Sequence, residues 1–424
     1  MTTTAIDERP FFSTVVEITG YADAQAILAS REFISNRNGG YSGQYDFRTV
    51  AAIDGAEHRE RRHREMELFS GPELLRYEQE ILNPLIESLL DDCRRNRAPD
   101  GTSRLELVET SRNLLVYIGT RIAGVDGIND ESMAKRLMFF VNWWAVGNSL
   151  RFTKLPPQEA RKLFDEAQAI AEQWKNELFL PSHDRRQALV KAHRAGTLPK
   201  ESLPRDVLTQ LILHPRADWD DRFLLRETSI YLTASIGTTA RALTNAVDEI
   251  LRWLKRHPEH GDLMSDPQAQ RRAVEEALRL HPALPAMPRL ATADATLPSG
   301  QFIPKGTQLA VMLSPLGRDK SVFGTDAEEF DPFRYKRLPE GIPPYGLAFG
   351  GGAHTCMGRR LAVGQAIAGP AESSNFGTLH TLVARFFANG IQLDPANPPV
   401  RNDNSFYDEF TRYPVLLTKI LAAS

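Results

Sequence analysis

The sequence is poor in cysteine: Cys93 and Cys356 are the only two in 424 residues. That excludes a disulfide scaffold, a four-thiolate zinc site and a four-cysteine iron–sulfur cluster. Long apolar runs are missing as well. Nowhere do ~18 apolar residues follow one another, so no membrane span is expected. Met1–Pro10 is polar and Phe11–Ile18 is interrupted, so no signal-peptide core is expected. Charge of one sign does not dominate: 51 basic against 54 acidic residues leave −3. No global field would recruit nucleic acid or an anionic membrane. There is no internal repeat, no low-complexity tract and no linker between independent domains. What remains is 42 % hydrophobic and 25 % charged. That is the balance of a soluble globular chain with a sizeable core, expected in the cytoplasm.

Periodicity predicts a mainly α protein with a small β portion. Val15–Thr19 alternates like a strand and Ala22–Ser30 like a helix. Arg37–Val50, rich in Gly, Tyr and Asn, reads as loop. Helical patterns follow over Glu57–Arg97, Leu105–Gly124, Ser132–Asn148 and Pro157–Leu180. Pro181–Pro204 is basic, Pro-bounded and expected at the surface. Trp219–Leu254 is a long apolar helix without an internal proline, expected to cross the centre of the molecule. Arg271–Leu280 is another helix, ended by His281–Pro282. Pro282–Val311 alternates in short strand-like pieces. Arg318–Gly352 has little periodicity, and a structureless run of that length usually serves function. Met357–Ala368 resumes helix.

The informative segment runs from Phe349 to Ala362. Three glycines precede Cys356, and a helical pattern begins directly after it. Glycine permits positive φ and close backbone approach to a flat ligand. A cysteine at a helix N-terminus has its thiolate favoured by the dipole and by free amides. A lone Cys–Gly pair would read as a buried structural thiol. The full spacing F-x-x-G-x-H-x-C-x-G-x-x-L-A argues for a ligand-binding loop.

This segment resembles the proximal haem-binding loop of the cytochrome P-450 family, matching it at every position of that spacing. The resemblance implies that Cys356 is the axial iron ligand of haem b, iron protoporphyrin IX. It places His354 on a haem propionate, Phe349 beside the sulfur and Gly358 in the loop. Glu276 and Arg279 resemble the family's E-x-x-R pair, 80 residues before Cys356, with Arg334 as the downstream arginine. These three are implied as structural glue. The Met287–Ala291 segment resembles the strand whose arginine, here Arg289, grips a propionate. His58 and Arg62 resemble the family's H-x-x-x-R pair, and the i,i+4 spacing puts both on one helix face.

The resemblance runs from about Val15 to Thr418 and implies one domain over 1–424, with a long central helix over a buried haem. It also marks departures. The leading segment looks shortened, and Gly369–His380 looks like an insertion. At mid-helix, relatives carry A-G-x-(D/E)-T-T. Here Ala234–Thr239 reads A-S-I-G-T-T: Ser235 replaces the glycine, Gly237 the acid, and Thr238 and Thr239 keep the alcohols. Ser235, Thr238 and Thr239 are the expected oxygen-site residues. Substrate-pocket candidates are Tyr231, Ala234, Ala286, Met287, the Tyr41–Phe47 loop, the Trp143–Trp144 region and Phe406–Tyr407.

The implied function is a monooxygenase acting on an apolar or aromatic small molecule. Ferredoxin and ferredoxin reductase would supply electrons as separate proteins. They would dock on a basic patch of Arg59, Arg61, Arg359 and Arg360. No nucleic-acid or membrane partner is expected. The alternative is a peroxide-using or otherwise atypical haem-thiolate enzyme, suggested by Gly237. A non-enzymatic haem sensor is a third reading.

Overall fold

The structure is a computed structural model that describes residues 11–37, 40–128, 130–365 and 375–420. The expected short leading segment and half of the expected insertion fall on residues 1–10 and 366–374, outside the described residues.

The central helix is Asp221–Arg256. Asp220 caps it by accepting the Phe223 amide at 2.7 Å, which satisfies one of the free N–H groups of the first turn. His257–Pro258 ends it, because proline cannot continue the ladder. Twenty of its residues are buried, on several faces, as a helix through the middle of a core must be. Helices Leu107–Ala123, Glu131–Ser149, Pro267–Leu280 and Thr378–Ala388 pack around it. Gly119 permits the closest approach: a β-carbon there would stand 2.9 Å from Ser235 Oγ. No described helix is long and apolar enough to cross a membrane.

The β portion is peripheral. Four strands order as Val16–Ile18, Gln308–Met312, Ala286–Ala291 and Phe33–Ser35. The first pair is parallel and the others antiparallel. Ser103–Glu106, Pro414–Leu417 and Ile391–Leu393 form an antiparallel three-stranded sheet. Two short hairpin-like pairs complete the strands.

Two expectations, for Arg37–Val50 and Met357–Ala368, are corrected, and Pro181–Pro204, mostly at the surface as expected, proves helical over much of its length. Arg37–Val50 contains the helix Gly40–Asp46. Tyr41 and Tyr45 lie one turn apart and pack on Phe164 and Trp144 at ring distances of 4.9 and 5.0 Å. Burial of the two rings overrides weak local propensity. Pro181–Pro204 holds the helix Leu180–Arg194, which continues from Pro157–Trp174 through the π-helical turn Lys175–Phe179, and Pro181 follows directly on that turn. Its Arg186 is buried and paired to Asp206 at 2.8 Å. Of the described residues 357–365, only Arg359–Val363 is helical, because Gly364 turns the chain with φ +71. Helix resumes at Thr378. Glu78 holds the restart by accepting the Asn375 side chain at 2.8 Å and the Phe376 and Gly377 amides at 3.1 and 3.2 Å.

Candidate functional site

A cavity of about 300 Å³ lies between the central helix, the Cys356 loop and the strand Ala286–Ala291. The central helix contributes Tyr231, Ala234, Ser235, Thr238 and Thr239. The strand contributes Met287 and Arg289, the loop Phe349, His354, Cys356 and Gly358, and the helix Gly55–Glu65 contributes Arg62. The fold thus gathers segments more than 290 residues apart in sequence, Arg62 and Thr355 among them.

The Cys356 thiol is open to the cavity, yet protein surrounds it. Burial pushes the thiol up, while the Gly358 amide, the Arg62 charge and the Arg359 amide pull the other way. The loop is closed by the Cys356 amide donating to Phe349 O at 2.9 Å. Its glycines serve protein packing. Gly350 has φ +69 and a β-carbon there would lie 2.6 Å from Met287 Cε; Gly352 has φ +61 and the same addition would lie 1.9 Å from Leu28 O.

Two arginines, Arg62 and Arg289, line the cavity without an ion-pair partner among the described residues, and the neutral His58 lies behind His354. Arg289 is 4 % exposed. It donates to Pro288 O at 2.8 Å, and no carboxylate among the described residues pairs with it. Burial first, and the Arg37 charge second, pull it down to about 10. Arg62 donates to Thr355 O, and burial lowers it too. His58 stacks on His354 with ring centroids 4.3 Å apart, and its buried Nε2 has no partner. Burial, then the charges of His354 and Arg62, bring His58 down to about 4. His354 Nε2 lies 2.9 Å from Asp54 Oδ1. Asp54 also accepts the Ser35 amide at 2.9 Å; burial raises its pKa, but these bonds leave it below the usual range. Unpaired buried cations are costly. A flat apolar ligand with two carboxylates and a thiolate-binding metal fits this donor set.

On the distal wall, Thr238 Oγ1 donates to Ala234 O and Ser235 Oγ to Leu232 O at 3.1 Å. Both alcohols are back-bonded within the helix. A β-carbon at Gly237 would meet nothing within 4 Å, so the space of the absent acid is still there.

Some predicted residues lie elsewhere. Ala286 packs with Phe152 and Ala310; strand alternation turns it away from the face of Met287 and Arg289. Phe406 is 43 % exposed and meets Phe12 edge-on at 4.6 Å. Tyr41, Tyr45 and Trp144 are core, and Trp143 packs against it. Arg61 is not on a docking face: it is 3 % exposed and paired to Glu227 at 2.5 Å. Arg59 and Arg360 are exposed. Arg359 is half-buried and donates to the Tyr345 hydroxyl at 3.2 Å. Beneath the cavity, Glu276 receives both Arg279 and Arg334. Glu65 and Glu227 escaped the sequence reading, for they sit among the charges of an apparently solvated helix and within an apolar run.

The family described as Cytochrome P450 matches residues 241–366. Cytochrome P450 750A1 of Pinus taeda is 40 % identical over 98 residues, covering 21 % of this chain and 19 % of that protein. Mycinamicin VIII C21 methyl hydroxylase of Micromonospora griseorubida is 29 % identical over 211 residues, 49 % of this chain and 50 % of that one. These matches span half or less of the relatives' own length. Among solved structures, P450BioI with a fatty-acyl-loaded acyl carrier protein superposes with TM-score 0.69 at 19 % identity, covering 95 % of this chain and 92 % of that one. A mutant of P450 EryK in complex with erythromycin B gives 0.66 at 21 % identity, covering 100 % and 95 %. The fold is therefore the cytochrome P450 fold. Over residues 241–366 the chain is similar to the cytochrome P450 family, and that family implies a haem cofactor.

Proposed function

We propose that the protein is a haem-thiolate monooxygenase that inserts one atom of dioxygen into an apolar small molecule. The observation that carries this reading is one cavity holding an open thiol, two unpaired arginines and the Thr238–Thr239 alcohols. Haem b, when bound, supplies the centre at which dioxygen is activated. Cys356 would hold it through sulfur, with Phe349 and Gly358 against it. Arg62, Arg289, His58 and His354 would receive its carboxylates. Glu276, Arg279 and Arg334 hold the floor. Tyr231, Ala234 and Met287 offer the wall against which a substrate is oriented. Electrons would come from a ferredoxin and its reductase at the face bearing Arg59 and Arg360, in the cytoplasm, with 1–424 acting as one domain.

The test is spectroscopic. Reduced, haem-loaded protein with carbon monoxide should show the strongly red-shifted Soret band of thiolate ligation. Cys356→Ala should lose it and Cys93→Ala should keep it. An unchanged band in Cys356→Ala overturns the assignment. Gly237 favours one second reading, in which peroxide replaces dioxygen and reductant because it arrives with both protons. Turnover of wild type with peroxide alone would select it.

A further inference from the structure

The cavity wall backs onto an acid that no family motif explains. Glu65 and Glu227 are 2 % and 0 % exposed, one on the helix Gly55–Glu65, the other on the central helix. One cation sits between them, Arg61, 2.5 Å from Glu227 Oε2. Arg61 is itself shared with Glu57 at 3.5 Å, and Arg48 stands 3.8 Å beyond Glu57. Glu227 accepts the Val50 amide at 3.0 Å. The Tyr231 hydroxyl donates to Glu65 Oε2 at 2.6 Å, and the Glu65 and Glu227 carboxyls share a hydrogen bond. Arg62 faces Glu65 and Tyr231 from the cavity side. Two buried carboxyls around one shared guanidinium oppose each other's ionisation. Burial, then the Glu227 charge, raises Glu65 well above the usual carboxylate range, so the pair keeps a proton at neutral pH.

The position is as telling as the charge. Tyr231 borders the cavity. Ser235 and Thr238 follow four and seven residues on and border it too. Seven residues of helix rise only ~10 Å, a gap that two or three waters span.

We propose that Glu65 is a proton donor to this cavity, acting through Tyr231 in place of the acid absent before Thr238. The inference rests on the monooxygenase reading. The Tyr231 O–H bond breaks as an O–H forms on a cavity water. The Glu65 O–H breaks as its proton restores the phenol. The pair is left as two carboxylates beside Arg61, and a proton from solvent returns it to its starting state. Two such deliveries, with two electrons from an external redox protein, release one atom of dioxygen as water while the other enters the substrate; no electron crosses the pair.

The experiment uses the full-length haem-loaded protein. Infrared spectra at neutral pH should show the C=O stretch of a buried protonated carboxyl in wild type. Glu65→Gln should lose it. Tyr231→Phe, which keeps the ring and removes only the hydroxyl, should shift it. Both variants should keep the carbon-monoxide Soret band. Both should form about tenfold less product per reductant, the low end of general-acid help, and alter the solvent isotope effect. Absence of the carboxyl band in wild type overturns the proposal. So does full coupling with an unchanged isotope effect in Tyr231→Phe. Loss of the thiolate Soret band in wild type would instead overturn the reading on which the proposal rests.

Discussion

Arg334 Nε donates to Glu276 Oε1 at 2.9 Å across 58 residues of chain. Arg279 reaches the same carboxylate at 2.6 and 2.8 Å. Arg279 and Arg334 are each 1 % exposed, and their remaining donors go to backbone carbonyls, Ala327 O and Asp326 O among them, and, from Arg334, to the Asp326 carboxylate at 3.0 Å. The pair of arginines thereby ties the Arg318–Gly352 stretch to the helix Pro267–Leu280. Glu276→Ala leaves buried Arg279 without a carboxylate while Arg334 keeps Asp326 at 3.0 Å, so unfolding free energy should fall by ~3 kcal/mol. Urea denaturation measures it. A loss below ~1 kcal/mol would show that the network does not hold this stretch.

The Cys356 loop should respond unequally to β-carbons. Gly352 has φ +61 and would drive one to 1.9 Å from the rigid Leu28 carbonyl. Gly351 is extended, and its nearest neighbour would be 3.4 Å away. Gly352→Ala should therefore lose ~3 kcal/mol or more, positive φ and overlap together, and with it haem retention. Gly351→Ala should stay near wild type in thermal unfolding and Soret intensity. Equal effects would place the requirement elsewhere.

His281 gives a pH signature. Burial lowers its pKa, but the Asp408 and Glu249 carboxylates more than offset this and leave it raised. The raised group stabilises the fold fully below the unfolded histidine value near ~6.5, and that contribution fades as pH rises through the folded value. The thermal-unfolding advantage of wild type over His281→Gln should be larger at pH 5.5 than at pH 9. An advantage growing with pH would reverse the assignment.

The sequence was most readable where one local pattern decides the outcome. Asp220 and His257–Pro258 bracket a long apolar run, and the central helix lies within two residues of its predicted bounds. The spacing around Cys356 and the parity of Met287 and Arg289 are likewise local. What stayed hidden depends on distant partners. Gly40–Asp46 is helical because Phe164 and Trp144 cover its tyrosines. Arg61 reads as surface charge until Glu227, 166 residues later, buries it. Phe406 reads as pocket, yet its partner is Phe12.

The last prediction concerns proton delivery at the central helix. Thr238 Oγ1 is bonded to Ala234 O, so the helix there already shares a carbonyl with an alcohol that borders the cavity. Thr238→Ala should lower product formed per reductant consumed and raise peroxide release, with the Soret spectrum intact. Gly237 separates two effects. Gly237→Ala should add ~1 kcal/mol of helix stability and leave coupling unchanged, since a methyl carries no proton. Gly237→Asp fits the same open space and places a carboxyl one residue before the threonine. It should raise coupling in wild type and restore most of what Glu65→Gln loses, because either acid then serves the same waters. General-acid help is typically worth 10²–10⁴-fold, so the rescue should exceed experimental scatter. Product yield against reductant in these variants measures it. Full coupling in Thr238→Ala would remove the threonine from the path. Failure of Gly237→Asp to rescue Glu65→Gln would show that the two acids feed different places.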